Sequence, residues 1–175
     1  MIFKASTYIV LDLPPPIKEW VSAVRSKFDA YQAQLPPEIT VAGSSGVGVL
    51  SENQDADSVF RAIEKVAMEF LPIHTAFVSI ERFPSVPVYW LKPMDRKPFD
   101  MLHRALTATG IKFLPSSFPF NPHCTLSSTV EHSDEKVREL LELSVPKKIF
   151  ALDTLNMYQL VENRAILLKS FPPGG

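Results

Sequence analysis

The chain has 175 residues, 46% apolar and 21% charged, enough to bury one sizeable core or two small lobes in contact and too apolar for disorder away from the termini. Its formal net charge of −1 builds in no field-wide attraction to duplex DNA, so a nucleic-acid ligand has to be small or held by a local patch. The single cysteine, Cys124, excludes an intrachain disulfide, Met1-Ile2-Phe3-Lys4 lacks a leader pattern, and no window reaches the ~20 apolar residues that span a bilayer; the expectation is a cytoplasmic protein without membrane association.

Sixteen prolines punctuate the elements and form no low-complexity tract. Thr7 to Leu13, β-branched and apolar, predicts a strand stopped by Pro14-Pro15-Pro16. Ile17, Trp20, Val21, Val24, Phe28 and Tyr31 recur at helical spacing and predict an amphipathic helix of about four turns. Pro36-Pro37 then introduces the strand Glu38-Ile39-Thr40-Val41, and Gly43 to Gly48 is a turn leaving it. As a phosphate cradle that turn is weak, because no Lys-Ser/Thr follows and no helix opens directly after it. Asp55 caps a second helix with the stripe Val59, Ile63, Val66, Ala67 and Phe70, and Thr75 to Ile80 reads as the next strand.

The pattern starts again at Val88 to Leu91, a strand closed by Pro93. Phe99, Leu102 and Leu106 form a shorter helical stripe ending at Gly110, and the aromatic stretch Phe113 to Phe120 leads into Pro122-His123-Cys124-Thr125-Leu126. Ser133 caps a helix carrying Val137, Leu140 and Leu141. A strand from Ile149 to Leu155 follows. Met157 to Leu160 and Ala165 to Leu168 then make a hairpin around Val161 to Arg164, and Pro172 to Gly175 is a tail.

Strand, helix, Pro-x-x-Thr strand, helix, strand thus occurs twice. The reading is one α+β domain over 1–175, built of two pseudo-symmetric lobes (repeat 5–83 and 86–157, closing strand 164–171). The second Pro-x-x-Thr strand carries His123 where the first, 85 positions earlier, carries Glu38. Side chains alternate across a strand, so His123 and Thr125 share one face, as do Glu38 and Thr40, while Cys124, Leu126, Ile39 and Val41 face the core. Facing lobes would put both Thr-bearing strands on opposite walls of one cleft.

These two stretches, with the closing Leu155 to Leu160 and the short strand after it, resemble the two-histidine phosphoesterase superfamily, which includes 2'-5' RNA ligases and cyclic nucleotide phosphodiesterases. The resemblance runs over nearly the whole chain. It implies a bilobal fold of antiparallel sheets and flanking helices around a central cleft for a 2',3'-cyclic phosphate or 2'-5' phosphodiester, with no cofactor and no metal. Carried over by position, His123 is an acid/base, Thr40 and Thr125 bind phosphate, and a small nucleotide or phosphate-bearing RNA end is the partner of a monomer. Glu38 takes the place of the first histidine. At the usual glutamate pKa near 4.3 it is a poor acid and repels a phosphate. Three outcomes stay open: catalysis with Glu38 as base, ligand binding without turnover, or a changed substrate.

Plainer roles stand beside these. Glu38 also fits a solvated strand start, and both threonines fit ordinary β-propensity. His74, His103 and His132 fit surface or half-buried positions. Trp90, Tyr89, Phe118 and Phe120 fit either a base-stacking platform or the core, and Arg82, Lys92, Arg96, Lys97 and Lys112 either steer a phosphate or form a solvated face.

Overall fold

The computed structural model of the chain describes Phe3, Lys4 and Ser6–Gly174; Met1, Ile2, Ala5 and Gly175 lie outside the described residues, and with them the first residue of the 5–83 repeat and the end of the tail. The elements run β1 (Thr7–Asp12), α1 (Ile17–Phe28), β2 (Glu38–Ala42), α2 (Ala56–Phe70), β3 (Ile73–Thr75), β4 (Phe77–Arg82), β5 (Tyr89–Pro93), α3 (Lys97–Thr107), β6 (Cys124–Ser127), α4 (Asp134–Leu141), β7 (Phe150–Leu152), β8 (Leu155–Val161) and β9 (Arg164–Phe171). Among the described residues no helix is long and apolar enough to cross a membrane.

Among the described residues all strand pairs are antiparallel, in sheets ordered β2-β1-β8-β9 and β4-β5-β6, with a separate pair β3-β7. Each larger sheet takes strands from the other half of the chain: β4 pairs with β5, and β8, with β9 beside it, crosses back to β1. Helix packing is reciprocal in the same way, with α1 against β6 and α3 against β2. The two halves are therefore interlocked through buried apolar surface. Ile39, Leu91, Phe99 and Leu126 are fully inaccessible, and each such side chain contributes about 1.5–3 kcal/mol by leaving water.

Local chemistry explains where the elements stop. Asp55 and Ser133 accept the main-chain N–H of Ser58 and Lys136, satisfying free donors at the starts of α2 and α4. The predicted first helix ends short of Tyr31, at Phe28. The Asp29 carboxylate accepts the N–H groups of Tyr31 and Gln32 at 3.1 and 3.0 Å and turns the chain into a 3-10 segment over Gln32–Gln34. Two strands expected to be continuous are divided. The strand expected from Thr75 to Ile80 breaks at Ala76, because Thr75 ends β3, which joins β7, while Phe77 opens β4, which joins β5. The strand expected from Ile149 to Leu155 ends at Leu152, and after Asp153-Thr154 the chain enters the first sheet as β8. Glu162 and Asn163, both at positive φ (48° and 65°), make the tight turn between β8 and β9.

Candidate functional site

β2 and β6 belong to different sheets yet run close together, with Cα atoms within 8 Å. Alternation holds on both. Ile39, Val41, Cys124 and Leu126 are fully buried, while Glu38, Thr40, His123 and Thr125 are half-buried on the opposite faces. The structure thus brings two Thr-bearing strands together, and the four polar side chains point away from the core.

Both strands are held from beneath by a polar side chain of the helix packed on them. Arg25 of α1, 2% exposed, donates from Nε and Nη2 to the Thr125 carbonyl at 2.9 and 2.7 Å, and from Nη1 to the Gln32 and Leu35 carbonyls. His103 of α3 donates from Nδ1 to the Val41 carbonyl at 2.8 Å, because a carbonyl can only accept. Its ring stacks on Phe120 at 4.0 Å and lies against Gly46, where a β-carbon would come within 2.4 Å of the imidazole. The glycine turn after β2 is thus fitted to His103, and the histidine braces β2. Asp29 fastens the far end of β6 by accepting the N–H groups of Ser128 and Thr129 and the Thr129 hydroxyl.

His123 lies just ahead of β6. Its Nδ1 donates to the Asn121 carbonyl at 2.6 Å, which leaves Nε2 as the acceptor of the neutral ring. The imidazole sits edge-on to Phe83 and Trp90, and burial holds its pKa below the ordinary histidine value although the Asn121 bond acts the other way. Nε2 is therefore a neutral base at physiological pH. Trp90, the cross-strand partner of Thr125, is the aromatic beside this histidine. Tyr89 is buried in the core, Phe118 is exposed, and Phe120 is committed to His103.

Glu38 departs from the expectation of a glutamate near its usual pKa. Burial, opposed by the nearby Arg25 charge and the Thr40 hydroxyl and assisted by Asp12, pushes its carboxyl up to about 7. At neutral pH it can hold a proton and give one up, and its neutral form does not repel an anion. The usual value assumes a solvated carboxyl, and desolvation is a property of the fold. The Thr40 hydroxyl lies 2.9 and 3.0 Å from the two Glu38 oxygens. Its single proton goes to an ionised Glu38; once Glu38 is protonated, the carboxyl can donate to Thr40 and the hydroxyl proton is freed for another acceptor.

The wall behind Glu38 comes from β1 and β8. Asp12 is the cross-strand partner of Glu38, and its Oδ2 accepts from the Tyr158 hydroxyl at 2.6 Å and Asn156 Nδ2 at 2.8 Å. Tyr8 stacks on Tyr158, ring centres 6.0 Å apart. Among the described residues, four buried side-chain polar atoms lack a partner: Asp12 Oδ1, Asn156 Oδ1, Trp90 Nε1 and Asn121 Nδ2. Asp12 pairs with Glu38 of β2, Trp90 pairs with Thr125 of β6, Asn121 lies two residues before His123, and Asn156, on β8, bonds Asp12. Such orphaned groups are costly and concentrate where a protein works.

Sequence reasoning missed Arg25 and Asp12. The signal for Arg25 was present, since it stands four residues after Val21 and three before Phe28, on the buried stripe of α1. Among the basic residues singled out instead, Arg96 is engaged by Asp100 at 2.8 Å.

A family model described as the 2'-5' RNA ligase superfamily matches residues 13–164. A protein of Geobacillus sp. (strain WCH70), provisionally named a phosphoesterase, is 24% identical over 121 residues, covering 67% of this chain and 66% of that protein, just under two thirds of its length. The crystal structure of TT0787 of Thermus thermophilus superposes with a TM-score of 0.69 at 15% identity, covering 95% of this chain and 96% of that one. E. coli LigT complexed with 3'-AMP gives a TM-score of 0.59 at 18% identity over 97% and 98% of the two chains. LigT complexed with phosphate gives 0.58 at 17% identity over the same shares. At these identities the likeness is one of fold, and the fold is shared.

Proposed function

The chain belongs to the 2'-5' RNA ligase superfamily, and on that premise we propose that it opens 2',3'-cyclic phosphates, or acts on 2'-5' phosphodiesters, of small nucleotides or RNA ends. The observation that carries this reading is the convergence of β2 and β6 with Glu38, Thr40, His123 and Thr125 on their outward faces. Likeness to a protein that binds 3'-AMP and phosphate supports the ligand class.

In the proposed reaction the phosphate lies between the two strands, with the Thr40 and Thr125 hydroxyls donating to its non-bridging oxygens. A water molecule gives its proton to Nε2 of His123 as its oxygen forms the new bond to phosphorus. The bond from phosphorus to one ribose oxygen breaks, and that oxygen takes the proton of the neutral Glu38 carboxyl. Glu38 stands where the family's first histidine is expected and supplies the acid that an imidazolium would supply. The buried Arg25 guanidinium, joined to Thr125 through its carbonyl, adds positive potential behind the phosphate. The chemistry proposed here uses only side chains of this chain, acting as a cytoplasmic monomer. We further infer that the repeat 5–83 and 86–157 is one duplicated unit whose copies exchange strands, a reading that the sheet orders support.

The test is to incubate the purified protein with 2',3'-cyclic AMP and separate the products. Opening of the ring that disappears in His123→Ala supports the reading; undiminished activity in that variant rejects His123. A second reading, ligand binding without turnover, is favoured by the Thr40 hydroxyl being engaged by Glu38. Glu38→His separates the two. Activity gained only in the variant identifies a binding module, whereas an active wild type weakened by the change identifies Glu38 as the acid.

A further inference from the structure

We propose that Asp12 is a positioning residue that keeps a proton on Glu38: its carboxylate, clamped by Tyr158 and Asn156 on the strand beside Glu38, favours the neutral, proton-donating form of that side chain. This rests on the reading of Glu38 as the acid of the cleft.

Asp12 and Glu38 are direct partners in the β1-β2 ladder, so their side chains leave the same face with β-carbons about 4.5–5.5 Å apart. Two carboxylates this close do not both ionise readily, and the surroundings decide which one takes the proton. Asp12 Oδ2 accepts from the Tyr158 hydroxyl and from Asn156 Nδ2, and an amide nitrogen can only donate. Burial raises the Asp12 carboxyl, and these two donated bonds act against that and hold it toward its ionised form. Glu38 meets instead the hydroxyl of Thr40, which can accept as readily as it donates. Protonating Glu38 reverses its bond with Thr40, the new O–H donating to Thr40 Oγ1. Asn156, only 7% exposed and with its own Oδ1 unpartnered, closes the wall behind them.

The other charged and titratable groups near Glu38 are Tyr8 from β1, Tyr158 from β8, Arg25 from α1 and, from the buried side of β6, Cys124. Arg25 is the one cation among them and favours the ionised carboxylate; its N–H groups, however, are directed at main-chain carbonyls. Burial and Asp12 oppose it.

The test follows the Glu38 side-chain carboxyl carbon by NMR in protein carrying 13C-labelled glutamate, with the signal assigned from Glu38→Gln. In Asp12→Asn the midpoint of this titration is expected to fall by about half a pH unit or more, as loss of a neighbouring like charge requires. Binding of inorganic phosphate, measured by calorimetry, should weaken at correspondingly lower pH. An unchanged midpoint in Asp12→Asn with native amide spectra overturns the proposal. Should that variant not fold, Tyr158→Phe makes Asp12 compete for the proton, and Glu38 must then titrate lower or in two steps; an unaltered single step is equally fatal. Failure here is distinct from failure of the catalytic reading. A protein inert toward cyclic nucleotides still reports the Asp12–Glu38 coupling, and an active enzyme with an unmoved Glu38 titration sinks the coupling alone.

Discussion

Arg25 reaches from the first helix to the carbonyl of Thr125, 100 residues along the chain, with two N–H groups at 2.9 and 2.7 Å, and His103 holds the carbonyl of Val41 from the other helix at 2.8 Å. Each half of the chain thereby fixes the site strand of the other. The placement of β2 against β6 rests on this pair of reciprocal contacts.

Arg25→Met removes the guanidinium from three main-chain carbonyls that are left without that donor. The expected loss is about 2–4 kcal/mol of stability, because unsatisfied buried acceptors cost about 1–3 kcal/mol each and the added methyl-thioether recovers only part. Urea denaturation measures it, and phosphate affinity in the folded fraction should fall with the lost positive charge.

Activity is expected to follow a bell-shaped dependence on pH. His123 must be neutral to accept a proton, and burial keeps it neutral below its ordinary 6.5, so the acid limb lies under that value. Glu38 must be protonated, and its form is lost above about 7. The optimum of kcat/KM should therefore be mildly acidic, and Glu38→His should shift the alkaline limb.

Glu38 also links pH to folding. Its carboxyl titrates near 7 in the folded protein against 4.5 unfolded, so the folded chain binds more protons between those values. The stability this gives is complete below 4.5 and is lost as pH rises through 7, by on the order of 3 kcal/mol. Glu38→Gln should flatten this part of the stability curve and be the more stable protein at pH 8, as thermal denaturation across pH will show.

Cys124 is fully buried on the reverse face of β6, and burial pushes its thiol up to about 11. Native protein should resist a thiol-specific reagent at pH 7.5 and react only on unfolding. Rapid labelling of the folded chain would contradict the direction in which β6 faces.

Much of this was readable before any coordinates. The period of two at Glu38 to Val41 and His123 to Leu126 gave the outward and inward faces, since burial on one side leaves no other arrangement. Asp55 and Ser133 marked helix starts by the bonds they make. The exchange of β4 and β8 between sheets was not readable, because an apolar run records that a strand is covered and not which strand covers it. The same holds at Ala76 and at Asp153-Thr154, where continuous strand composition conceals a change of sheet. Asp12 read as the tail of a strand, and its meaning depends on Asn156 and Tyr158, 144 and 146 positions away.

Crystals soaked in inorganic phosphate at mildly acidic pH test the central claim most directly. Density for the anion between the Thr40 and Thr125 hydroxyls, within hydrogen-bonding distance of His123 Nε2, is the predicted result. Phosphate bound only at surface lysines, with the space between β2 and β6 empty, would contradict it.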